Sequence, residues 1–423
     1  MKTPLLAAAF ILIFAQAVCA MFLSPTAVPV DRLVKNTEAK LAKNQEDVQT
    51  IYQLARIHYL AFALKSNALG VYQGKAPEPT GVDVATRDFQ AMYGKTGKVS
   101  PAEALAHAAK AAELFQQALG KDPKHALSHL GLASLLDQFS TESTGIPPKE
   151  IPPALAKRDG AIVRMHYARA FELAWPQDQT ATTKGLRGLA EFISYEAASS
   201  YIRSASADEA QLTAEEKKNV GEMKAAVKKL EALPYGTITP LVFSFRPAES
   251  LDALLAPGVD VEFDLRGFGG KERWPWLRPD TALLVWDPAH TGHITSTRQL
   301  FGGYSWQIFW RDGFDALAAL DDNQDGWIRG AELDGLAAWF DRNQDGVSDP
   351  GEVIPLSSLG ITGLSCSATA HDGPHPFHSA GVELRDGRKL PLWDWVTSPL
   401  PPAPRGLARH QPDGSRPGKP ARN

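Results

Sequence analysis

Two twelve-residue segments, 321–332 and 341–352, repeat one pattern of oxygen-bearing side chains. Each begins with Asp, has Asn at position 3 and Asp-Gly at positions 5 and 6, and ends with Glu. A hard cation such as Ca²⁺ takes roughly six to eight oxygens, and this spacing supplies side chains at positions 1, 3, 5 and 12 and a backbone carbonyl at position 7. The repeat therefore predicts two calcium loops, and it leaves only a short connection between them.

The two loops differ in charge at position 9. Arg329 occupies it in the first loop and Asp349 in the second, so the second carries one more carboxylate. More ligand charge raises calcium affinity and a nearby cation opposes it, so we predict tighter binding at the second loop. The alternative is a pair of turns without an ion, because Asn, Asp and Gly also favour turns. The predicted ligands are Asp321, Asn323, Asp325, the carbonyl of Trp327, Glu332, Asp341, Asn343, Asp345, the carbonyl of Val347, Asp349 and Glu352.

The segment that joins the loops has apolar residues at helical spacing. Leu333, Leu336, Ala337 and Phe340 recur at intervals of three and four. This periodicity predicts one short helix that leaves the first loop and enters the second.

From about residue 261 to residue 395, the chain resembles the EF-hand-type calcium-binding module of secreted bacterial proteins. Residues 263–269 and 287–302 correspond to that module's two preceding acidic elements. Several acids of that family are replaced, so the resemblance implies two inactive loops that serve as scaffold ahead of the two intact ones. The replacements are Arg266, Phe268, Ala289, Thr291 and Gln299.

Helical periodicity dominates residues 31–233. The segment 111–123 has Ala111, Phe115, Ala118 and Pro123 at a spacing that resembles the second helix of a tetratricopeptide repeat. The resemblance implies stacked helix pairs with a concave surface for an unidentified protein or peptide. A helical scaffold without a partner is the alternative. Residues 215–229, rich in charge, are expected to form the terminal helix.

Strand-forming residues follow a boundary near residues 233–236. Residues 237–245, 282–286, and 382–384 with 390–393 predict strands, the last two joined in a hairpin by Asp386-Gly387. The predicted fold is thus multi-domain, with an N-terminal all-α tetratricopeptide-like domain and a C-terminal α+β module that carries tandem EF-hand-like loops. The predicted segments are a signal peptide at 1–20, the helical domain at 31–233, the calcium module at 236–398 and a disordered, Pro-rich, basic tail at 399–423.

The apolar N-terminal segment predicts export. Residues 4–20 are apolar, and small residues before Met21 predict cleavage after Ala20. An uncleaved membrane anchor and lipidation of Cys19 are the alternatives. A secreted or periplasmic location agrees with calcium binding, since calcium is abundant there. Beyond residue 23 no stretch is apolar enough for a transmembrane segment, and Cys366 is left without an internal disulfide partner.

Charge and motifs exclude several functions. Lys and Arg number 44 against 48 Asp and Glu, so no basic excess drives nucleic-acid binding. Motifs of nucleophilic, metallopeptidase or phosphate-loop enzymes are missing, and we expect no enzymatic activity. One segment contains zinc-type ligands, but we favour a hydrophilic loop between strands there. These ligands are His371, Asp372, His375 and His378.

Together these patterns predict an exported, non-enzymatic calcium-binding protein whose helical repeats form an interaction scaffold and whose C-terminal module is ordered by calcium. Two alternatives remain open. A dockerin-like module would need an exposed apolar patch on residues 333–340, and a hydrolase with structural calcium would need a deep polar pocket outside the loops.

Overall fold

A computed structural model of the protein describes residues 26–71, 99–140, 151–156, 159–183, 193–233, 236–264 and 271–400. The predicted signal peptide, the tail from residue 401 and the altered loop positions Arg266 and Phe268 lie outside these ranges. Within them, no helix has the length and apolar character needed to cross a membrane. The N-terminal half consists of a two-stranded antiparallel sheet of β1 (Thr26–Pro29) with β2 (Ala68–Val71) and of helices α1 (Val30–Lys43), α2 (Val48–Leu64), α3 (Pro101–Lys121), α4 (Ala126–Ser140), α5 (Gly160–Thr183), α6 (Ile193–Ala207) and α7 (Ala214–Glu231).

Local sequence signals set several helix starts. Ser100 and Glu103 form a capping box at α3, with Pro101 in the first turn, and Thr213 and Glu216 do the same at α7. These side chains satisfy amide groups that have no partner within the helix. The terminal helix predicted over residues 215–229 is therefore confirmed.

Each helix from α2 to α7 packs on the next along the chain. Tyr52 of α2 and Phe115 of α3 lie 6.0 Å apart between ring centroids, and both are buried. Gly131 lets α4 approach, because a Cβ there would overlap the Phe115 ring. Helix α5 continues past Pro176, which lies inside it.

The C-terminal half is a curled, antiparallel, nine-stranded sheet with a separate two-stranded ribbon. The sheet order is β7-β10-β12-β13-β3-β6-β8-β9, with β11 paired to β12, and β4 pairs with β5. One short helix, α8 (Gly313–Ala318), precedes the first acidic loop. The strands are β3 (Leu241–Ser244), β4 (Leu255–Phe263), β5 (Glu272–Leu277), β6 (Thr281–Trp286), β7 (Trp327–Arg329), β8 (Leu336–Trp339), β9 (Val353–Pro355), β10 (Ile361–Ser365), β11 (Ala370–Asp372), β12 (His375–Leu384) and β13 (Lys389–Asp394).

The predicted helix between the acidic loops is wrong. A 3₁₀ turn at Gly330–Leu333 is followed by strand β8, which pairs with β6 on one side and β9 on the other. All four residues of β8 are buried. A short apolar run buried on both faces has no strand alternation, so its periodicity does not separate a strand from a helix.

Other strand predictions are confirmed. Residues 282–286 lie in β6, and β12 and β13 form the hairpin around Asp386-Gly387. The segment 371–378 is not a loop, because His371 and Asp372 belong to β11 and pair with Pro376 and His375 of β12. The α+β composition is thus mostly β, with α8 as the α-helix among its described residues.

Candidate metal site in two acidic loops

The two acidic loops have the same backbone path. The first follows α8, and the second follows β8 and ends at β9. Gln324 and Gln344, both at position 4, have φ of 61° and 59°. Gly326 and Gly346 at position 6 have φ of 84° and 73°, a region that glycine enters without steric cost.

The position-1 carboxylate organises each turn. Asp321 Oδ1 accepts from the Asp325 amide at 3.2 Å, and its Oδ2 accepts from the Gly326 amide at 2.9 Å. The second loop repeats both bonds, to the amides of residues 345 and 346, at 3.2 and 2.8 Å from Asp341. These bonds fold the loop around its first residue.

The closing glutamates return to the start of their loops. Glu332 Oε1 accepts from the amides of Asp322 and Asn323 at 2.8 and 3.1 Å. Glu352 Oε1 accepts from the Arg342 amide at 2.7 Å, and its Oε2 accepts from the Asp349 amide at 3.1 Å. Positions 1 and 12, far apart in the segment, are thereby brought to the same end of each loop.

The carboxylates at positions 1 and 12 are buried. Asp321, Glu332, Asp341 and Glu352 are only 4–6% exposed. None of them has a basic partner in the ion pairs formed by the described residues. Buried carboxylates are ordinarily paired or metal-bound, because an uncompensated charge is costly to remove from water. The donor set is therefore suited to a cation that prefers oxygen.

Electrostatics at the second loop show the same deficit of positive charge. Burial raises the pKa of Asp341, and the charge of Glu352 raises it further, against the hydrogen bonds from Gly346, Asp345 and Trp276. A bound cation would relieve both effects by offsetting the two negative charges.

The remaining predicted ligands are placed along the loop edges. Asp325 Oδ1 accepts from the Trp327 amide at 2.8 Å, and Asn323 Oδ1 accepts from the Asp325 amide at 2.8 Å. In the second loop, Asn343 Nδ2 donates to Asp345 Oδ2 at 3.0 Å and to Asp349 Oδ2 at 2.9 Å. Many ligand oxygens thus face amides, and over the described ranges no three His, Cys, Asp or Glu side chains are already gathered as a metal site.

Arg329 lies against the first loop. Its Nη1 is 3.6 Å from Asp325 Oδ2, and its Nη2 bonds Glu383 at 2.9 Å. Its guanidinium also stacks over the Trp327 ring at 4.5 Å. The cation at position 9 is therefore held next to a predicted ligand.

The loop that begins at Asp287 has the same turn as the two acidic loops but lacks acidic residues at positions 3 and 5. Asp287 Oδ1 accepts from the Thr291 amide at 2.9 Å and its Oδ2 accepts from the Gly292 amide at 2.8 Å, which is the pattern of the two acidic loops. Gln299 Nε2 donates to the His293 carbonyl at 2.9 Å. Without further carboxylates, the loop satisfies its own amides, and we retain the prediction that it binds no ion.

The alternative zinc ligands make separate contacts. Asp372 Oδ2 accepts from the Leu251 amide at 2.8 Å, and His375 Nδ1 accepts from the Val396 amide at 3.1 Å. His378 Nδ1 accepts from the Ala380 amide at 3.1 Å. Asp372, His375 and His378 thus each bond a different backbone amide of the β-rich half.

Sequence reasoning missed the residues that support the loops from a distance. Trp276 Nε1 donates to Asp341 Oδ2 at 2.6 Å, and Gln344 Nε2 donates to the Leu277 carbonyl at 2.7 Å. Arg32 pairs with Asp322 at 2.9 Å from the other half of the chain. No local pattern marks such partners, because they meet only in the folded chain.

Comparison with known proteins finds a matching domain family over the β-rich half. Residues 252–394 match the model of the SPM domain, about a third of the chain. The iron-regulated protein FrpA of Neisseria meningitidis serogroup C is 37% identical over 136 residues, which cover 31% of this chain and 12% of that protein. The chain thus spans a small part of the curated relative it matches.

These findings correct the predicted resemblances. The C-terminal match is to an SPM domain in a mostly β region, and it is not to an EF-hand module. The missing helix between the loops agrees with this, since an EF-hand needs a helix on each side of its loop. The tetratricopeptide resemblance is likewise wrong, because no tetratricopeptide family is found, and the N-terminal half is described as a helical region.

Proposed function

We propose that the protein is an exported, non-enzymatic calcium-binding protein in which calcium orders the β-rich half. The burial of two carboxylates per loop without basic partners supports this most directly. An ion that binds the folded loops and not the unfolded chain adds its binding free energy to folding stability.

The residues of each loop have distinct tasks in this proposal. Asp321 and Glu332 in the first loop, and Asp341 and Glu352 in the second, supply the buried charge. The amide and carboxylate oxygens of positions 3 and 5 and the carbonyls of Trp327 and Val347 complete the oxygen set. Calcium supplies the positive charge that these carboxylates lack.

The helical half is proposed as the surface that binds a protein or peptide. A cleft of about 220 Å³ between α5 and α7 has the stacked rings of Phe171 and Trp175 on one side and Met223 on the other. Met165 on α5 is 51% exposed. Phe171 and Met223 are buried, so the exposed Met165 and the half-buried Trp175 are the side chains of the kind that interaction sites use.

No specific observation favours the dockerin-like hypothesis or the hydrolase hypothesis. The dockerin-like hypothesis needed an exposed apolar patch on residues 333–340, and residues 336–340 are buried. The hydrolase hypothesis needed a deep polar pocket outside the loops, and the cavity of the β-rich half that is lined by Trp274, Trp276 and Trp395 holds about 10 Å³.

Calcium titration of the full chain by calorimetry, with thermal melting in calcium and in chelator, tests the proposal. We expect two binding events with dissociation constants of roughly 10⁻⁶ to 10⁻³ M and a higher melting temperature in calcium. Asp345→Ala should remove the tighter event and Asp325→Ala the weaker one. Asp334→Ala, at an exposed acid between the loops, is the matched control and should change neither. Absence of heat and of stabilisation would refute calcium binding.

A further inference from the structure

Helix α1 presents a row of hydrogen-bond donors to the first acidic loop. Two of the donors follow the first by three and four residues, and the last follows the third by seven, so they lie along one side of the helix. They bond to residues 319–324, at the start of the loop and just before it. The donors are Arg32, Lys35, Asn36 and Lys43.

Asp322 is the centre of this contact. Arg32 Nε and Asn36 Nδ2 both donate to its Oδ1, at 2.9 and 2.8 Å. The same two side chains also donate to the carbonyls of Leu320 and Ala319, at 2.8 and 3.0 Å. These four hydrogen bonds hold the Asp322 carboxylate and the carbonyls of residues 319 and 320 in place.

The helix binds the positions that alternate with the proposed ligands. Lys35 Nζ donates to the Asp322 carbonyl at 3.2 Å, and Lys43 Nζ donates to the Gln324 carbonyl at 3.3 Å. Asp322 and Gln324 are positions 2 and 4, whereas the proposed ligands are at positions 1, 3 and 5. Helix α1 thus fixes the loop backbone and leaves the ligand oxygens to the ion.

The contact between the helical half and the β-rich half extends to α8. Lys40 forms an ion pair with Asp315, and Gln53 Nε2 donates to the other oxygen of Asp315 at 2.7 Å. Arg311 forms an ion pair with Asp47. The helical half therefore holds both the first loop and the helix that leads into it.

The second loop has different supports. Trp276 bonds Asp341, Gln344 bonds the Leu277 carbonyl, and the Ile294 amide donates to Ser348 Oγ at 2.8 Å. All three contacts come from the β-rich half. The two loops are thus held by different parts of the molecule, which gives an internal control.

We infer that helix α1 is a positioning element of the first calcium loop, so that docking of the helical half and calcium binding at this loop stabilise each other. The inference rests on the proposed function. A loop already held in its bound conformation loses less freedom when the ion binds. Because coupling between two binding events is reciprocal, calcium at the first loop strengthens the docking of α1 by the same factor.

Calorimetry on the full chain tests whether the α1 contacts strengthen calcium binding at the first loop. In an Asp345→Ala background, which isolates the first loop, Arg32→Ala and Asn36→Ala should each weaken calcium binding by about tenfold. Arg32→Lys keeps the positive charge but cannot donate to Asp322 and Leu320 through the two arms of a guanidinium. Its calcium affinity should therefore lie between those of the background and of Arg32→Ala. Glu38→Ala, on the exposed side of α1, is the matched control and should leave binding unchanged. In an Asp325→Ala background, the Arg32 substitution should not affect the second loop.

Hydrogen exchange tests the reverse effect, in which calcium at the first loop strengthens the docking of α1. Calcium should slow amide exchange in α1 of the unsubstituted chain, Asp325→Ala should abolish this protection, and Asp345→Ala should retain it. If calcium binds but the Arg32→Ala and Asn36→Ala variants bind it with the same affinity as the Asp345→Ala background, the coupling is overturned and the proposed function stands. Equal loss of α1 protection in both loop variants would also overturn it. No calcium heat at either loop would overturn the proposed function, and the coupling with it.

Discussion

The indole Nε1 of Trp276 donates a 2.6 Å hydrogen bond to Oδ2 of Asp341, and both groups are buried. The bond joins the ribbon strand β5 to the first residue of the second acidic loop. It therefore transmits the position of the ribbon to a proposed calcium ligand.

Trp276→Phe should lower both stability and calcium affinity at the second loop. The charged acceptor loses a buried donor, which costs about 1–3 kcal/mol of unfolding free energy. Urea unfolding and calcium titration measure the two effects. Trp274→Phe is the matched control, since the Trp274 Nε1 has no hydrogen-bond partner among the described residues. Equal losses in the two variants would contradict a role for the bond.

Arg329→Gln should strengthen calcium binding at the first loop. Removing the cation 3.6 Å from Asp325 removes its repulsion on the ion, and we expect a gain of about threefold to tenfold in affinity. Titration in the Asp345→Ala background measures it. Arg388→Gln, at an exposed arginine paired with Asp386, serves as the control. An unchanged or weaker affinity would show that Arg329 does not oppose the ion.

Stability of the helical half should fall with acid because of two histidine pairs. His58 and His107 approach at 2.8 Å between Nδ1 atoms, as do His129 and His166. Such a contact needs one N–H and one lone pair, so double protonation breaks it. Burial, and then the partner histidine, lowers the pKa of His58 and of His166 to about 4.

The direction of this pH dependence follows from the lowered pKa of His58 and His166 in the folded state. Each pair contributes its full stability above the unfolded value of 6.5 and loses it as pH falls toward 4. We expect on the order of 2 kcal/mol per histidine, measured by urea unfolding at pH 7.5, 6 and 5. His166→Asn should flatten the dependence. A pH-independent unfolding free energy in the unsubstituted chain would contradict the prediction.

Two glycines in adjacent helices should respond oppositely to alanine. Gly131→Ala should destabilise by about 1–3 kcal/mol, because the added methyl overlaps the Phe115 ring that separates α3 from α4. Gly120→Ala in α3 meets no atom within 4 Å and should stabilise by about 0.5–1 kcal/mol through helix propensity. Thermal and urea unfolding compare the pair. A stabilising Gly131→Ala would show that α4 does not approach α3 this closely.

The loop turns were predictable because their hydrogen bonds are local. Asp321 and Asp341 bond amides four and five residues ahead, so the Asp-x-Asn-x-Asp-Gly pattern carries its own geometry. The α3 and α7 starts and the Asp386-Gly387 hairpin were predictable for the same reason.

Strand β8 and the α1 contact were not predictable from neighbouring residues. The sequence of residues 333–340 allows a helix or a strand, and pairing with β6 and β9 decides for the strand. Arg32 and Asp322 are separated by 290 positions, and only the packing of the two halves brings them together. The sequence thus determined the turns and the ligand spacing, which depend on short-range bonds. The tertiary structure decided what holds each loop, because that depends on distant surfaces that meet only on folding.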